Sequence, residues 1–370
     1  MSSANTANAV DFSVKIKGQD VEKTDVMTIA VDDDLWQPRM CLITLKNPTN
    51  KFNAKFSPGD TVDVTIGGGT RRAEDGKGSG DLGPIFKGEV VGVECSYKQG
   101  GEPKISIRAF DKLHRLTRGR KSKTYQDQTD QDIASAIASE NGLSAQCGST
   151  PKIKHKHVYL HNQTHLEFLR VRAARLGFAV WVDDGKMYFD APKLDADSGL
   201  EFVFEQQPKG GGDKIKSFHG RLSNAQVLKK VTVRGWDPEQ KKELVGEESA
   251  AASKLGSSNA AASLKDFGEV ATFFVDYPIA SVEEAKAIAK AKLSEASMSF
   301  LTGECTIMGN NKVKAGLVVK LKLNADDASD RFNGKYLVQG VTHRYSADNK
   351  GSEGGYDSIM RLVRDAEKGS

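Results

Sequence analysis

Short runs in which apolar or β-branched residues alternate with polar ones fill the first part of the chain. They are Phe12 to Ile16, Val26 to Val31, Met40 to Leu45, Val62 to Ile66, Phe86 to Cys95 and Ile105 to Ala109. A period of two puts successive side chains on opposite faces, so the stretch Asp11 to Arg108 reads as an antiparallel β unit. Between Lys98 and Glu102 the pair Gly100-Gly101 supplies hairpin chemistry, because glycine reaches positive φ without a Cβ clash. The segment Gly67 to Pro84 is polar and glycine-rich and is expected to be an exposed loop.

The period changes between about Arg118 and Pro192. Thr129 caps a stripe of Ile133, Ala136 and Ile137, and Gly142 ends it, which predicts a helix. A second helix opens at Thr164 with Glu167 at capping-box spacing and runs through Leu166, Leu169, Ala173 and Leu176 to Gly177. Phe178 to Val182, the turn Asp183-Asp184-Gly185 and Lys186 to Phe189 then form a hairpin. Strands resume at Phe202 to Glu205, Ile215 to Leu222 and Val227 to Trp236. Ser249 to Ser263, rich in Ala, Ser and Gly, reads as a flexible loop or linker whose alanines would also tolerate a helix. Ser281 and Glu284 open a third helix with Val282, Ala285, Ile288, Ala289, Leu293 and Ala296 inward. Leu301 to Met308, Leu317 to Leu323, Tyr336 to Tyr345 and Tyr356 to Val363 return to strands. The division implied is a first β unit at 1–117, a mixed α/β unit at 118–200 and a second β unit at 201–370, with a loop-and-helix insert at about 237–298.

Two passages repeat one another. Gly59 leads the alternating run to Ile66, and after a loop Phe86-Lys87-Gly88 enters the next strand. Gly316 leads the run to Leu323, and after a loop Phe332-Asn333-Gly334 enters Tyr336 to Val341. A duplicated unit would give a trimer six similar positions around one axis.

Composition narrows the function classes. At 370 residues the chain is long enough for two or three cores, and 38% apolar with 28% charged residues is ordinary for a globular protein. No run of about 18 apolar residues exists to span a bilayer. The first ten residues lack a secretory signal pattern, and Cys41, Cys95, Cys147 and Cys305 lie far apart without a Cys-x-x-Cys spacing, so synthesis in a reducing cytoplasm is expected. A net charge of +4 is too weak to imply nucleic acid or anionic lipid as partner.

Candidate chemistry is sparse. His155, His157, His161 and His165 invite a metal reading, but no Cys or carboxylate stands at ligand spacing, and exposed sheet and cap positions are expected instead. Gly78, Gly80 and Gly83 spell a dinucleotide-binding pattern, yet Pro84 and a β run follow where a helix is needed. Asp32-Asp33-Asp34 lacks the staggered ligands of a calcium loop and reads as a solvated turn. Arg115, Arg118, Arg120, Lys121 and Lys123 form the one basic run; Arg118, Arg120, Lys121 and Lys123 are the candidate docking patch for an acidic neighbour, the alternative being a solvated linker. Trp36, Trp181 and Trp236 fall in or beside strand patterns as core or interface residues. No nucleophile elbow, Cys-centred signature or carboxylate pair stands out, so neither an enzyme nor a cofactor is expected.

The order of segments resembles the phage late control D family, tail hub proteins of contractile phages, and is similar to the hub portion of type VI secretion spikes. The resemblance is carried by Phe86-Lys87-Gly88-Glu89-Val90-Val91-Gly92-Val93 with the Asp111-Lys112-Leu113 turn; by Thr129 to Gly142 followed by Val158 to Phe189; and by Tyr277-Pro278 with Phe332 to Val338 and Val341-Thr342-His343. It implies a mainly β protein with α+β segments: two tube-protein-like antiparallel β-barrels plus a mixed α/β insert. It also implies a ring-shaped homotrimer that adapts a hexameric inner tube to a trimeric spike protein, among other baseplate components, in a phage virion or contractile injection particle. Secretion spikes continue into an oligosaccharide-binding barrel and a β-helical needle, whereas this chain stops near Ser370. The competing readings are an envelope-binding or hydrolytic tail component acting on carbohydrate, and a monomeric β scaffold unrelated to tails.

Overall fold

The computed structural model describes residues 10–67, 82–149, 153–205, 214–237, 239–267, 271–275, 278–324, 327, 329–347 and 355–367. The first seven strands are β1 (Asp11–Ile16), β2 (Gln19–Asp20), β3 (Val26–Asp34), β4 (Gln37–Lys46), β5 (Thr61–Gly67), β6 (Gly83–Ser96) and β7 (Lys104–Phe110). They pair antiparallel in the order β2-β1-β5-β6-β7-β4-β3. The alternation does what the pattern demands: Phe12, Val14, Ile16, Ile29, Val31, Ile43, Val62, Val64, Ile105 and Ile107 all point into one core. β6 is long because it serves two partners, pairing with β5 up to Glu89 and with β7 from Glu89 onward. At that crossing a Cβ on Gly88 would lie 2.2 Å from the Phe110 carbonyl oxygen, so only glycine fits. Most of the Gly67 to Pro84 loop, with Gly78 and Gly80, lies outside the described residues, as does Tyr277.

β8 (Lys121–Gln128), α1 (Asp130–Glu140), β9 (Ser144–Cys147), β10 (His155–Gln163), α2 (His165–Leu176), β11 (Ala179–Asp183) and β12 (Lys186–Asp190) follow. Thr164 and Glu167 close the expected capping box, and Gly177 ends α2 in the left-handed region at φ 69°. The expected Asp-Gly hairpin joins β11 and β12, with Asp184 and Gly185 both at positive φ. Leu113, Leu116, Tyr125, Ile133, Ile137, Leu160, Leu169 and Phe189 share a second core.

The remaining strands are β13 (Asp197–Val203), β14 (Ile215–Leu222), β15 (Lys230–Asp237), β16 (Lys242–Ser249), β17 (Ala271–Phe274), then α3 (Val282–Met298), and β18 (Leu301–Met308), β19 (Val318–Lys322), β20 (Gly334–Ser346) and β21 (Gly355–Arg364). β16-β15-β17 form a small sheet on which α3 packs through Ala285, Ile288 and Leu293. The Ser249 to Ser263 stretch is not a free linker. Leu255 is fully buried, Asn259 caps a 3-10 turn at Ala260–Leu264, and Ala260 donates to the Asp365 carbonyl at 2.8 Å.

The other six strands run β13-β19-β20-β21-β18-β14, the order of β1-β5-β6-β7-β4-β3. The two passages that repeat in sequence also repeat in hydrogen bonding. The Gly59 N–H donates to the Val90 carbonyl and Val90 N–H to Asp60, both at 2.8 Å; Gly316 N–H donates to Val338 at 2.8 Å and Val338 N–H to Leu317 at 2.9 Å. Both glycines have positive φ, 96° and 86°. Bulges recur at Val90/Gly92 and Val338/Gly340, and again at Val26/Thr28 and Ile215/Ser217. One difference is polarity, since β1 runs antiparallel to β5 whereas β13 runs parallel to β19.

The architecture is mainly β with a few helices, as expected. The two sets of six strands are not separate sheets, however. β20 pairs with β19 through its first part and then, from Gly340 to Ser346, with β3, making one 13-stranded sheet. No closed barrel is found among the described residues: β13 and β14 meet at the single bridge Val203↔Lys214, and β3 pairs with β20 rather than with β1. Replacing Gly88 by Ala is expected to cost about 1–3 kcal/mol through overpacking against the Phe110 carbonyl, read as a lower denaturation midpoint. An unchanged midpoint would show that β6 can shift at the crossing.

Candidate assembly surface

The basic run lies on and just before β8, and its charges are engaged within the chain. Arg120 donates to the Asn162 carbonyl at 2.5 Å and pairs with Glu167 at 3.3 Å. Lys121 stands 3.5 Å from Glu140, Lys123 pairs with the same carboxylate, and Lys123 lies over the Tyr125 ring at 5.2 Å. The Lys123 contact is the first cause holding the Glu140 carboxyl below its usual range. Arg118 follows the 3-10 turn Lys112–Thr117 as its C-terminal cap. Lys121 and Lys123 are brought together on Glu140, Arg120 is engaged separately by Asn162 and Glu167, and Arg118 is exposed at the end of the turn.

The histidines separate instead of clustering. His157 and His161 are exposed and flank the Tyr159 ring at 6.4 and 5.3 Å. His165 is buried, with Asn141 Nδ2 at 2.9 Å from its Nδ1. His155 is buried too, correcting the expectation of exposed positions: its Nε2 lies 3.2 Å from Asp130 and 2.7 Å from the Arg172 guanidinium. Arg172 donates to Asp130 at 2.5 Å, and one turn later Arg175 donates to Glu284 at 2.5 Å and to the Pro278 carbonyl at 2.8 Å. This buried ionic cluster ties α1, β10 and α2 to the start of α3. Burial alone would raise the Asp130 carboxyl, but hydrogen bonds from His155 and Arg172 hold it below the usual range.

The three aspartates form a strand end with assigned partners, not a solvated turn. Asp32 accepts from the Thr342 hydroxyl at 2.6 Å, Asp34 pairs with Arg361, and buried Asp33 lies 3.0 Å from Arg39 while accepting from the Ala315 N–H at 3.1 Å. Arg39 N–H also donates to Asp111 at 3.1 Å, and burial pushes the Asp111 carboxyl up to about 7 against that pull. Close by, His343 is buried. Its Nε2 donates to the Val313 carbonyl at 3.1 Å, so Nδ1 is the acceptor nitrogen, and the Ser358 and Tyr356 hydroxyls face it at 3.0 and 2.8 Å. Burial pushes His343 down to about 4. The carboxylates and His343 all find partners within the chain, which makes the arrangement a structural joint between the two β units. Among the described residues no group of His, Cys, Asp and Glu is arranged to hold a metal.

What the surface does offer is strand edges and aromatic rings. Trp36, Tyr97, Trp236 and Phe273 are exposed, and Trp181 stacks on Tyr188 at 5.0 Å. Among the described residues no ladder covers the outer edge of β14, nor the edge of β6 from Gly92 to Ser96 beyond β5. Beside β14 opens a groove of about 530 Å³ lined by Phe204, Lys216, Phe218, Leu323, Asp330 and Phe332. Sequence reasoning missed this groove because its walls come from four segments, each of which looks like an ordinary strand or turn.

This architecture is that of phage tail proteins. The chain is similar to the 43 kDa tail protein of prophage MuSo2 from Shewanella oneidensis (14% identity, TM-score 0.68, covering 96% of this chain and 99% of that one). It is also similar to a tail protein of Neisseria meningitidis (12%, TM-score 0.69, 96% and 97%) and to an Escherichia coli component of the type VI secretion system (13%, TM-score 0.61, 96% and 78%). By sequence, the family described as the Alg8 N-terminal domain matches residues 6–347, and the chain belongs to that family. No curated protein sequence matches it. Among the described residues no helix is long and apolar enough to cross a membrane.

Replacing Arg172 by Met is expected to lower stability by about 3–5 kcal/mol, because it strands the buried Asp130 carboxylate; a denaturation curve within 1 kcal/mol of wild type, on that same scale, would refute the cluster's role. The His343 shift has a defined sign. A histidine depressed in the folded state contributes stability that is present above about pH 6.5 and lost as the pH falls toward about 4, roughly 3 kcal/mol in all. The difference in unfolding free energy between wild type and His343→Gln should therefore vary over that window; a difference independent of pH would show that His343 does not titrate there.

Proposed function

We propose that this chain is a structural baseplate hub of the phage late control D type: a homotrimer that adapts a hexameric inner tube to a trimeric spike, with no catalytic role. The observation that carries this reading is the duplication. Two units with the same strand order, the same paired glycine bonds and the same bulges lie in one sheet, so three chains supply six similar docking positions while retaining threefold symmetry. Support also comes from the neighbours. One is a component of the type VI secretion system, and another structure, a PdpA–VgrG complex, is similar at TM-score 0.51 over 96% of this chain and 64% of that one. The partners in this reading are inner tube protein, spike and other baseplate components, and the place of action is the baseplate of a phage virion or contractile injection particle assembled in the bacterial cytoplasm.

The units proposed are 1–117, 118–200 and 201–370 with the insert at about 237–298. Separate buried cores support them, although Leu113 and Leu116 already pack in the mixed core. The Arg118, Arg120, Lys121 and Lys123 strip is retained as a secondary docking patch for an acidic neighbour, weakened by Glu140 and Glu167. Light scattering over a concentration series, with and without the candidate tube protein, is expected to give a mass near three times 40.1 kDa. A persistent monomer indifferent to tube protein would overturn the hub and favour the envelope-binding alternative.

A further inference from the structure

The contact between the two β units inside one chain leaves a matching pair of surfaces unused. Within the chain, β3 pairs with the second part of β20, from Gly340↔Asp34 to Ser346↔Thr28. By the duplicated ladders, Val338 corresponds to Val90, so β20 corresponds to β6; Thr28, Ile29 and Val31 correspond to Ser217, Phe218 and Gly220, so β3 corresponds to β14. The outer edges of β14 and of β6 beyond Val90 have no ladder among the described residues. These are the two surfaces that would repeat the β3·β20 contact, but on a single chain β14 ends the sheet path, and β18, β21, β20, β3, β4 and β7 separate it from β6.

We propose that β14 of one copy pairs antiparallel with Gly92–Ser96 of β6 in the next, continuing the sheet from chain to chain. Carrying the internal register across sets Val93 opposite Leu222, Glu94 opposite Arg221, Cys95 opposite Gly220, Ser96 opposite His219 and Tyr97 opposite Phe218. Nothing in the construction of that register used side chains, yet it is complementary. One face of the new ladder is apolar, Val93 with Leu222 and Tyr97 with Phe218; the other brings the Arg221 guanidinium to the Glu94 carboxylate, which already pairs with Arg108 of its own chain at 3.2 Å. Val93 already packs against the first core, and Phe218 and Leu222 against the third, so the apolar face joins two existing cores.

The groove beside β14 has an occupant on the same logic. In the first unit the equivalent seam is filled by Tyr345, whose ring lies 4.6 Å from that of Phe12. Tyr345 corresponds to Tyr97, which is 54% exposed in the single chain, and the groove of about 530 Å³ lined by Phe204, Phe218 and Phe332 lies where Tyr97 of the next copy arrives. Because the contact is head to tail, repetition closes a ring only at a fixed number of copies. That the number is three rests on the proposed hub reading.

The test uses full-length chain in a Cys95→Ser background. Ser96→Cys combined with His219→Cys, oxidised, is expected to give covalent trimers on a denaturing gel, whereas Ser96→Cys with Arg221→Cys, displaced by two residues, is not. In parallel, Glu94→Arg or Arg221→Glu alone should raise the concentration at which the assembly forms by about tenfold or more, and the double reversal should restore it. A trimeric mass without the in-register crosslink and without charge rescue would overturn this interface and leave the hub standing. Crosslinked species of another copy number would keep the interface and overturn the trimer. A monomer at all concentrations would overturn both.

Discussion

Every strand in a sheet has two rows of backbone donors and acceptors, and a buried row without partners is too costly to keep. That constraint organises this molecule. β3 lies at the edge of one six-stranded unit with Ile29 and Val31 buried, and it is satisfied by β20, a strand that belongs to the other unit. The length of β20 follows from this double duty, as does the bulge at Gly340, where a Cβ would meet Arg361 and approach the Asp33 carbonyl at 3.1 Å. Around the ladder sit the polar groups that would be hardest to bury by chance. Asp32 takes the Thr342 hydroxyl, Asp33 takes Arg39 and the Ala315 N–H, and His343 is closed off by Val313, Ser358 and Tyr356.

A second joint works through charge. Asp130, His155, Arg172, Arg175 and Glu284 bring together α1, β10, α2 and α3, elements far apart in sequence. Such a cluster adds little net stability over an apolar contact of the same volume, but it fails badly if one member is removed. It therefore fixes how the mixed segment meets the inserted helix more than how strongly the two adhere.

Local order was legible because period and capping are local. The Phe12 to Ile16 alternation, the Thr164–Glu167 box and the Asp184-Gly185 hairpin each stand as read, and the glycine passages at Gly59 and Gly316 make the same hydrogen bonds. What could not be read was non-local. His155 stands in a run of polar residues and is buried only because Asp130 and Arg172 meet it in space. Asp33 looked solvated for the same reason. Leu255, in a stretch composed like a linker, packs with Val318, Leu337 and Val363, while Asp365 holds its neighbours Ser253 and Ala260, partners that no window of sequence includes. The groove beside β14 is non-local in the same way, its walls coming from four segments of the chain.

The ladder between β3 and β20 also sets a timetable. In Thr342 and Asp32 it joins residues 310 positions apart. A ribosome therefore releases the first unit, with its Ile29 and Val31 strand unpaired on one side, long before the partner strand exists. Until then the nascent chain carries an open template for strand addition, and neighbouring nascent chains on one message compete with its own C-terminal region for that edge. Folding and misassembly of this protein draw on the same β3 edge, and chain elongation decides which comes first.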